Sequence, residues 1–262
     1  MSFIFEILFL IFVLTIVVQT FYAIFFYLRL SLYKDDSNFF NKGVTVIICA
    51  KDEAETLSLN LSSFLEQDYP DYEVIVVDDQ SIDSTKYVLK DFEKNYSNLK
   101  VISIEPHVNS RVGKKFALTL AIKTAKFDYL LLSDADCKPV SKNWITTMTK
   151  YFNTKDIVLG ISPYHKTKGI LNKLIRYDDF TVMLQYLSFA LAKIPYMGVG
   201  RNLAYKKSLF FSVKGFASHI HIPSGDDDLF IKDVASNDNV AIQIHKEADV
   251  FTEPKTNFYD WI

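Results

Sequence analysis

Cysteine is scarce: the 262 residues contain only Cys49 and Cys137. Neither has zinc-like spacing, and each falls in an apolar, strand-like context. Both are expected to be free thiols of a reducing compartment. A basic excess is missing too. The formal net charge is −2, which gives no case for nucleic acid, whose binders present a clearly basic face. No glycine-rich phosphate loop of the dinucleotide or P-loop kind follows any predicted strand. A diphosphate ligand would therefore need a metal and a basic side chain. His219, His221 and His245 lack the regular spacing of a zinc site. Charge is absent altogether from Ile7 to Leu28.

That run is long enough to cross a bilayer core of ~30 Å. A secretory signal would have a shorter apolar region and a small-residue cleavage site, and neither is seen. A buried core helix of a soluble domain would show a polar face, which this run lacks. Residues 1–30 are therefore read as a transmembrane anchor and 31–43 as a short polar linker. Arg29 and Lys34 follow the run, whereas Glu6 alone precedes it. The positive-inside rule then puts the remainder on the cytoplasmic side of the cell membrane.

From Val44 a regular alternation begins. The run over 44–50 (VTVIICA) is β-branched and apolar, as in a strand covered on both faces. Asp52 is expected to cap the next helix, with Glu55 completing a capping box; Leu57, Leu61, Phe64 and Leu65 have helical spacing. A second strand over 73–77 ends in Asp78-Asp79. Asp83 or Ser84 opens a helix that fades near Asn95. A third strand covers 99–104, a polar loop runs to Gly113, and a helix covers 114–125. The fourth strand, 129–133, leads into Ser133-Asp134-Ala135-Asp136. Alternating strands and helices predict an α/β fold with a doubly wound, mostly parallel sheet. Ligands of such sheets bind outside the carboxyl ends of the strands, where Asp52, Glu53, Asp78, Asp79, Asp134 and Asp136 would gather. Asp134 and Asp136 point the same way if the strand continues through them. They make a hard-oxygen pair suited to Mg²⁺ or Mn²⁺ shared with phosphates. Lys114 or Lys115, at a helix start, could supply the basic group.

The second half is less regular. A helix opened by Ser141 covers 144–152, and a strand covers 157–161. The apolar stretch 170–192 is either a helix on the membrane surface or a core helix. Gly198 and Gly200 precede Arg201-Asn202 and allow close backbone approach to a ligand. Gly225-Asp226-Asp227-Asp228 puts three carboxylates in a row; their repulsion should raise at least one pKa and make a candidate general base.

Taken together, 44–53, Val76-Val77-Asp78-Asp79-Gln80-Ser81-Ile82-Asp83-Ser84-Thr85, Gly113-Lys114 and Ser133-Asp134-Ala135-Asp136 resemble glycosyltransferase family 2 enzymes of the GT-A fold. The resemblance spans about 44–228. It implies a GT-A domain over 44–262, with a nucleotide-sugar half (44–140) and an acceptor half (141–262). It implies inverting transfer of a sugar from a nucleotide-sugar donor, usually a UDP-sugar, to a saccharide or lipid-linked hydroxyl acceptor. By resemblance Asp79 reads the base, Glu53 and Lys114 sit near the nucleotide, and Asp134 and Asp136 hold ribose, diphosphate and the divalent metal. Gly200, Arg201 and Asn202 border the acceptor and donor sugar. Asp227, with Asp226 second, is the base that deprotonates the acceptor. Many membrane members continue into a Gln-x-x-Arg-Trp-like motif and further spans, whereas this sequence stops at Ile262. A truncated product or a short member is expected. A nucleotidyltransferase, or an inactive nucleotide- or partner-binding domain of the same fold, are the alternatives.

Overall fold

The computed structural model describes residues 2–35, 39–105 and 113–261. The charge-free run forms α1 (Ser2–Tyr22), which continues through one π turn (Ala23–Tyr27) into the short α2 (Leu28–Ser31). This helix is long and apolar enough to cross a membrane, and its apolar window is 0 % buried. Its foot differs: Phe26, Tyr27, Leu30 and Tyr33, three or four residues apart, are half-buried. The Tyr33 hydroxyl meets that of Tyr151 at 2.6 Å and donates to the Ile242 carbonyl at 3.2 Å. Phe40 is buried, and the Tyr69 hydroxyl donates to the Lys42 carbonyl. The stretch after the helix is thus fastened to the domain at both ends of its described parts.

Strand β1 (Val44–Ala50) is buried nearly throughout, as its unbroken apolar run requires. Then come α3 (Ala54–Leu65), β2 (Tyr72–Asp79), α4 (Thr85–Asn95) and β3 (Leu99–Ile104). The polar loop expected before Gly113 lies mostly outside the described residues. α5 (Lys114–Thr124) and β4 (Tyr129–Asp134) complete the regular half. The second half contains β5 (Cys137–Pro139), α6 (Trp144–Thr149), β6 (Ile157–Leu159), α7 (Ile170–Leu191), β7 (Leu203–Lys206) and α8 (Lys207–Ser212). It ends with α9 (Asp228–Val234), β8 (Val240–Ile242), β9 (Val250–Thr252) and α10 (Phe258–Trp261).

Seven strands form one sheet in the order β3-β2-β1-β4-β7-β6-β8, and β5 pairs with β9 apart from it. Every pairing within the large sheet is parallel except those of β7 with β4 and β6. The sheet is mostly parallel, as the alternation predicts. Strand pleating sorts the core onto two faces. Val46, Ile48 and Leu131 point into a layer with Leu57, Phe64 and Trp144. Ile47, Leu130 and Leu132 point into the other, with Leu118, Leu187 and Phe230. Burying each of these side chains stabilises the fold by roughly 1.5–3 kcal/mol.

Three boundaries differ from the sequence reading. β2 runs on through Asp78 and Asp79, because both still pair with β3, opposite Ser103 and Ile104; ladder pairing outweighs the poor strand propensity of aspartate. The helix from Trp144 tightens into a 3₁₀ turn at Lys150–Asn153. The strand begun at Ile157 stops at Leu159.

Candidate active site

α3 and α4 lie on one face of the sheet and α5 on the other, with β2 and β4 flanking β1. The chain therefore changes direction at β1, and a crevice opens beyond its carboxyl end. A cavity of about 350 Å³ occupies it, lined among others by Glu53, Asp79, Gly113, Lys114, Asp134 and Asp136. Five residues predicted for the donor side from three strand ends and a helix start thus share one wall.

Local chemistry fixes each of them. Asp79 is 6 % exposed, and its Oδ2 accepts the Gly113 N–H at 3.1 Å. Gly113 has φ +117°, a conformation open to glycine and strained for other residues. The Lys114 ammonium lies 2.7 Å from Asp134 Oδ1 and 3.4 Å from Asp226 Oδ2. Burial by itself would lower its pKa, but the two carboxylates hold it above the ordinary lysine value. Lys114 therefore stays cationic and joins the strand end at Asp134 to the acidic segment before α9. Lys115 points away: its ammonium donates to the carbonyls of His219 and Ile222.

Glu53 starts α3, with its N–H donating to Thr85 Oγ1 at 2.9 Å and its carboxylate accepting from the Thr56 hydroxyl. The expected capping box at Asp52 does not form. Asp52 adopts φ +56° and its Oδ1 accepts the Ile82 N–H at 2.7 Å, while Asp83 Oδ2 accepts the Ala54 N–H at 3.1 Å. The cap of α3 comes from the loop after β2, because the chain turns sharply at Asp52 and carries its side chain away from the helix start.

β4 ends at Asp134, so Asp136 sits in a turn, and no strand pleat aligns the two side chains. Both still face the cavity. Among the described residues no three His, Cys, Asp or Glu side chains gather as a metal cage. A pair of carboxylates at a cavity nevertheless fits Mg²⁺ or Mn²⁺, which take few protein ligands and complete their shell with phosphate and water oxygens. Cys49, beside them, is a thiol raised in pKa by burial.

Asp227 is the N-cap of α9. Its Oδ1 accepts the Asp228 N–H at 2.8 Å and its Oδ2 accepts the Gly200 N–H at 2.7 Å. A Cβ at position 200 would stand 3.3 Å from that Oδ2, so the glycine permits this approach. Burial pushes the Asp227 carboxyl above its ordinary range, while the two N–H groups pull it back. The rise expected from three adjacent carboxylates thus occurs at Asp227, with burial the larger cause and Asp226 a lesser one.

Arg201 follows Gly200. Its carbonyl accepts the Ser133 hydroxyl at 2.9 Å, which ties it to the start of the Asp134–Asp136 turn. Its guanidinium donates to Asp179 Oδ1 at 2.6 Å and lies 4.6 Å from the Tyr164 ring centroid. These groups, with Tyr186 and Trp261, line a second cavity of about 200 Å³. Asn202 lines neither cavity. It is 2 % exposed, its amide donates to the carbonyls of Ile161 and Ala248 at 2.7 Å each, and its Oδ1 accepts Trp144 Nε1–H at 3.1 Å. The sequence reading gave no role to Asp179, Tyr164 or Trp261; the charged pair Asp178-Asp179 inside an apolar helical stretch was the available signal for the first.

Residues 45–211, well over half the chain, match the family described as glycosyl transferase family 2. The chain belongs to that family. The poly-beta-1,6-N-acetyl-D-glucosamine synthase of Staphylococcus epidermidis is 37 % identical over 95 residues, 36 % of this chain and 22 % of that protein. The poly(ribitol-phosphate) beta-glucosyltransferase of Bacillus spizizenii is 31 % identical over 192 residues, 71 % of this chain and 28 % of the relative. The chain thus spans less than a third of the length of either. Among solved structures, the mannosyltransferase PcManGT of Pyrobaculum calidifontis, in complex with GDP-Man and Mn²⁺, superposes with a TM-score of 0.67 at 22 % identity, covering 90 % of this chain and 66 % of its own. S. aureus TarS 1–349 in complex with UDP-GlcNAc gives 0.58 at 18 % identity, with 83 % and 60 % covered. These likenesses show the fold, the GT-A architecture expected from the motifs.

Proposed function

We propose that this chain is a membrane-anchored, inverting glycosyltransferase that moves a sugar from a nucleotide-sugar, in our reading a UDP-sugar, to a hydroxyl acceptor. The observation that carries the reading is the crevice itself: Asp79, Lys114, Asp134 and Asp136 line one cavity, and Lys114 links it to the Asp226-Asp227 segment. Named partners in structural neighbours, GDP-Man with Mn²⁺ and UDP-GlcNAc, support a nucleotide-sugar donor.

In this reading Asp79 accepts hydrogen bonds from the base, Glu53 lies at the nucleoside, and Lys114 faces the diphosphate. Asp134 and Asp136 would hold Mg²⁺ or Mn²⁺, which when bound offsets the negative charge of a departing diphosphate. Asp227 takes the proton of the acceptor hydroxyl, and Asp226 is the second candidate. The acceptor oxygen attacks the anomeric carbon, and the pair of the breaking sugar–phosphate bond leaves with the nucleoside diphosphate. Gly200 holds Asp227 in direction, Arg201 borders the acceptor, and Asn202 supports that segment from below. The acceptor is a saccharide or a lipid-linked glycan; nucleic acid is no partner. The helix over 2–31 spans the cell membrane, and Arg29 and Lys34 keep the domain in the cytoplasm.

The test is a donor screen with the purified full chain, across nucleotide sugars with Mg²⁺ or Mn²⁺. Release of a nucleoside diphosphate is the expected result. Release of pyrophosphate from a sugar phosphate and a nucleoside triphosphate would identify a nucleotidyltransferase instead.

A further inference from the structure

Among the described residues, little covers one face of α7 over its first three turns. Ile170, Leu174, Tyr177 and Thr181 recur at three- and four-residue steps and share a side of the helix. Ile170 is 71 % exposed, Leu174 41 % and Tyr177 70 %, with Phe180 beside them at 51 %. The core face lies opposite, on Asn172, Ile175 and Tyr186. Followed toward the carboxyl end, the apolar side becomes half-buried at Leu184 and buried at Ser188. There the foot of the amino-terminal helix reaches α7: Phe189 stacks on Phe26 with ring centroids 4.4 Å apart, and Tyr22 lies 6.4 Å from the same ring. The exposed stripe therefore runs on from the place where the anchor docks.

One flank is basic: Lys173 and Arg176, with Lys166 and Lys168 just before the helix, are all exposed. Of the acidic groups on this helix, Asp179 is paired with Arg201, and Asp178, on the other flank, is exposed at the rim of the cavity beside it. An exposed apolar stripe with basic residues along its edge has the pattern of a helix that lies in a bilayer interface, where its apolar side enters the headgroup boundary and cations meet anionic lipid.

We propose that the first half of α7 lies in the cytoplasmic headgroup layer of an anionic membrane, beside the anchor. This rests on the reading of the amino-terminal helix as a membrane span. Asp179, on the inner side of α7, holds Arg201 next to Gly200 and Asp227. A membrane-seated α7 would thus bring the acceptor cavity to the lipid surface, where a lipid-linked acceptor is presented.

The test reads the depth of the stripe in the full chain, reconstituted into phosphatidylcholine vesicles containing phosphatidylglycerol. Tyr177→Trp and, as a second probe, Leu174→Trp are compared with the parent, using lipids brominated near the top of the acyl chain for these probes and near its end for the span control. Leu14→Trp reports the span, and Ile82→Trp, 91 % exposed in the loop after β2, reports water. The added emission of Tyr177→Trp and Leu174→Trp should be largely lost, that of Ile82→Trp unchanged. Unquenched stripe probes with a quenched Leu14→Trp would overturn the proposal and leave the span intact. Failure to quench Leu14→Trp as well would overturn both. Concentration-dependent cross-linking of Leu174→Cys between chains, with unquenched stripe probes, would instead assign the face to a second copy.

Discussion

Asp227 combines three properties that are individually ordinary. It is buried, both its oxygens receive a backbone N–H, and the Lys114 ammonium that pairs with its neighbour Asp226 is close enough to pull its pKa down slightly. Burial makes the carboxylate more basic than usual, and the two N–H groups fix its direction. In the proposed reaction, Asp227→Asn should lower transfer by about 10²–10⁴-fold while nucleotide-sugar affinity is kept. Asp226→Asn removes a Lys114 partner and should act mainly on donor affinity. Equal transfer rates for both variants and the parent, in a steady-state assay, would place the base elsewhere. The sign of the pH effect follows from the same burial. The base works deprotonated, so kcat/KM should fall as pH drops through a pKa above the ordinary carboxylate range. Stability goes the other way: the folded state binds the proton more tightly than the unfolded chain, so this group's contribution declines as pH rises from the ordinary value through the raised one. Asn202 illustrates a different residue role. Replacing it by leucine strands the Ala248 carbonyl and the Trp144 indole N–H in the interior, each costing about 1–3 kcal/mol when left unpaired, while the Ile161 carbonyl keeps the Val250 N–H. Chemical denaturation should show a loss of roughly 2 kcal/mol or more, with donor affinity of the remaining folded protein unchanged; a shift in affinity with no loss of stability would make it a ligand-binding residue.

Among elements, the loop after β2 ties two helices together. Asp83 accepts the N–H of Thr85 at 2.9 Å and that of Ala54 at 3.1 Å, so one carboxylate serves the starts of both α4 and α3. Asp83→Ala should cost about 0.5–2 kcal/mol, as loss of an N-cap does, and protection of amides in the first turns of α3 and α4 should fall together in hydrogen exchange. Loss confined to α4 would contradict the shared cap. This arrangement also marks the limit of what the sequence discloses. The four parallel strands were legible because each is a short, largely apolar run; β1, β2 and β4 are mostly buried and lead into acidic residues, while β3, at the sheet edge, is only partly buried. The local rule assigned the α3 cap to Asp52, the nearest carboxylate, since nothing in the chain order reveals that the loop 29 residues on comes closer. β6, β8 and β9 are three-residue strands, too short to produce a period. The Asp134–Asp136 pair was readable from spacing, although a turn and not a strand pleat brings both to the cavity.

At the scale of the whole molecule, the foot of the amino-terminal helix and the crevice beyond β1 belong to one packed unit. The foot of the amino-terminal helix reaches α7 and, through Tyr33, Tyr151 and the end of β8. α7 in turn carries Asp179 to Arg201, whose carbonyl accepts the Ser133 hydroxyl next to Asp134 of the β1 crevice. The amino-terminal helix is therefore packed on the domain at its foot. Half of this organisation, the long apolar helix and the sheet edge, was predictable from long runs and alternation; the docking between them was not, because it rests on single aromatic contacts far apart in sequence. The account stands or falls on the crevice at β1, β2 and β4 as a metal-dependent nucleotide site. Its most direct test is calorimetric titration of the purified full chain with UDP, with Mn²⁺ and with chelator, on the parent, Asp79→Ala and Asp136→Asn. The account predicts metal-dependent binding in the parent, weakened by either substitution. Binding of equal strength in all three, unchanged by chelator, would contradict it.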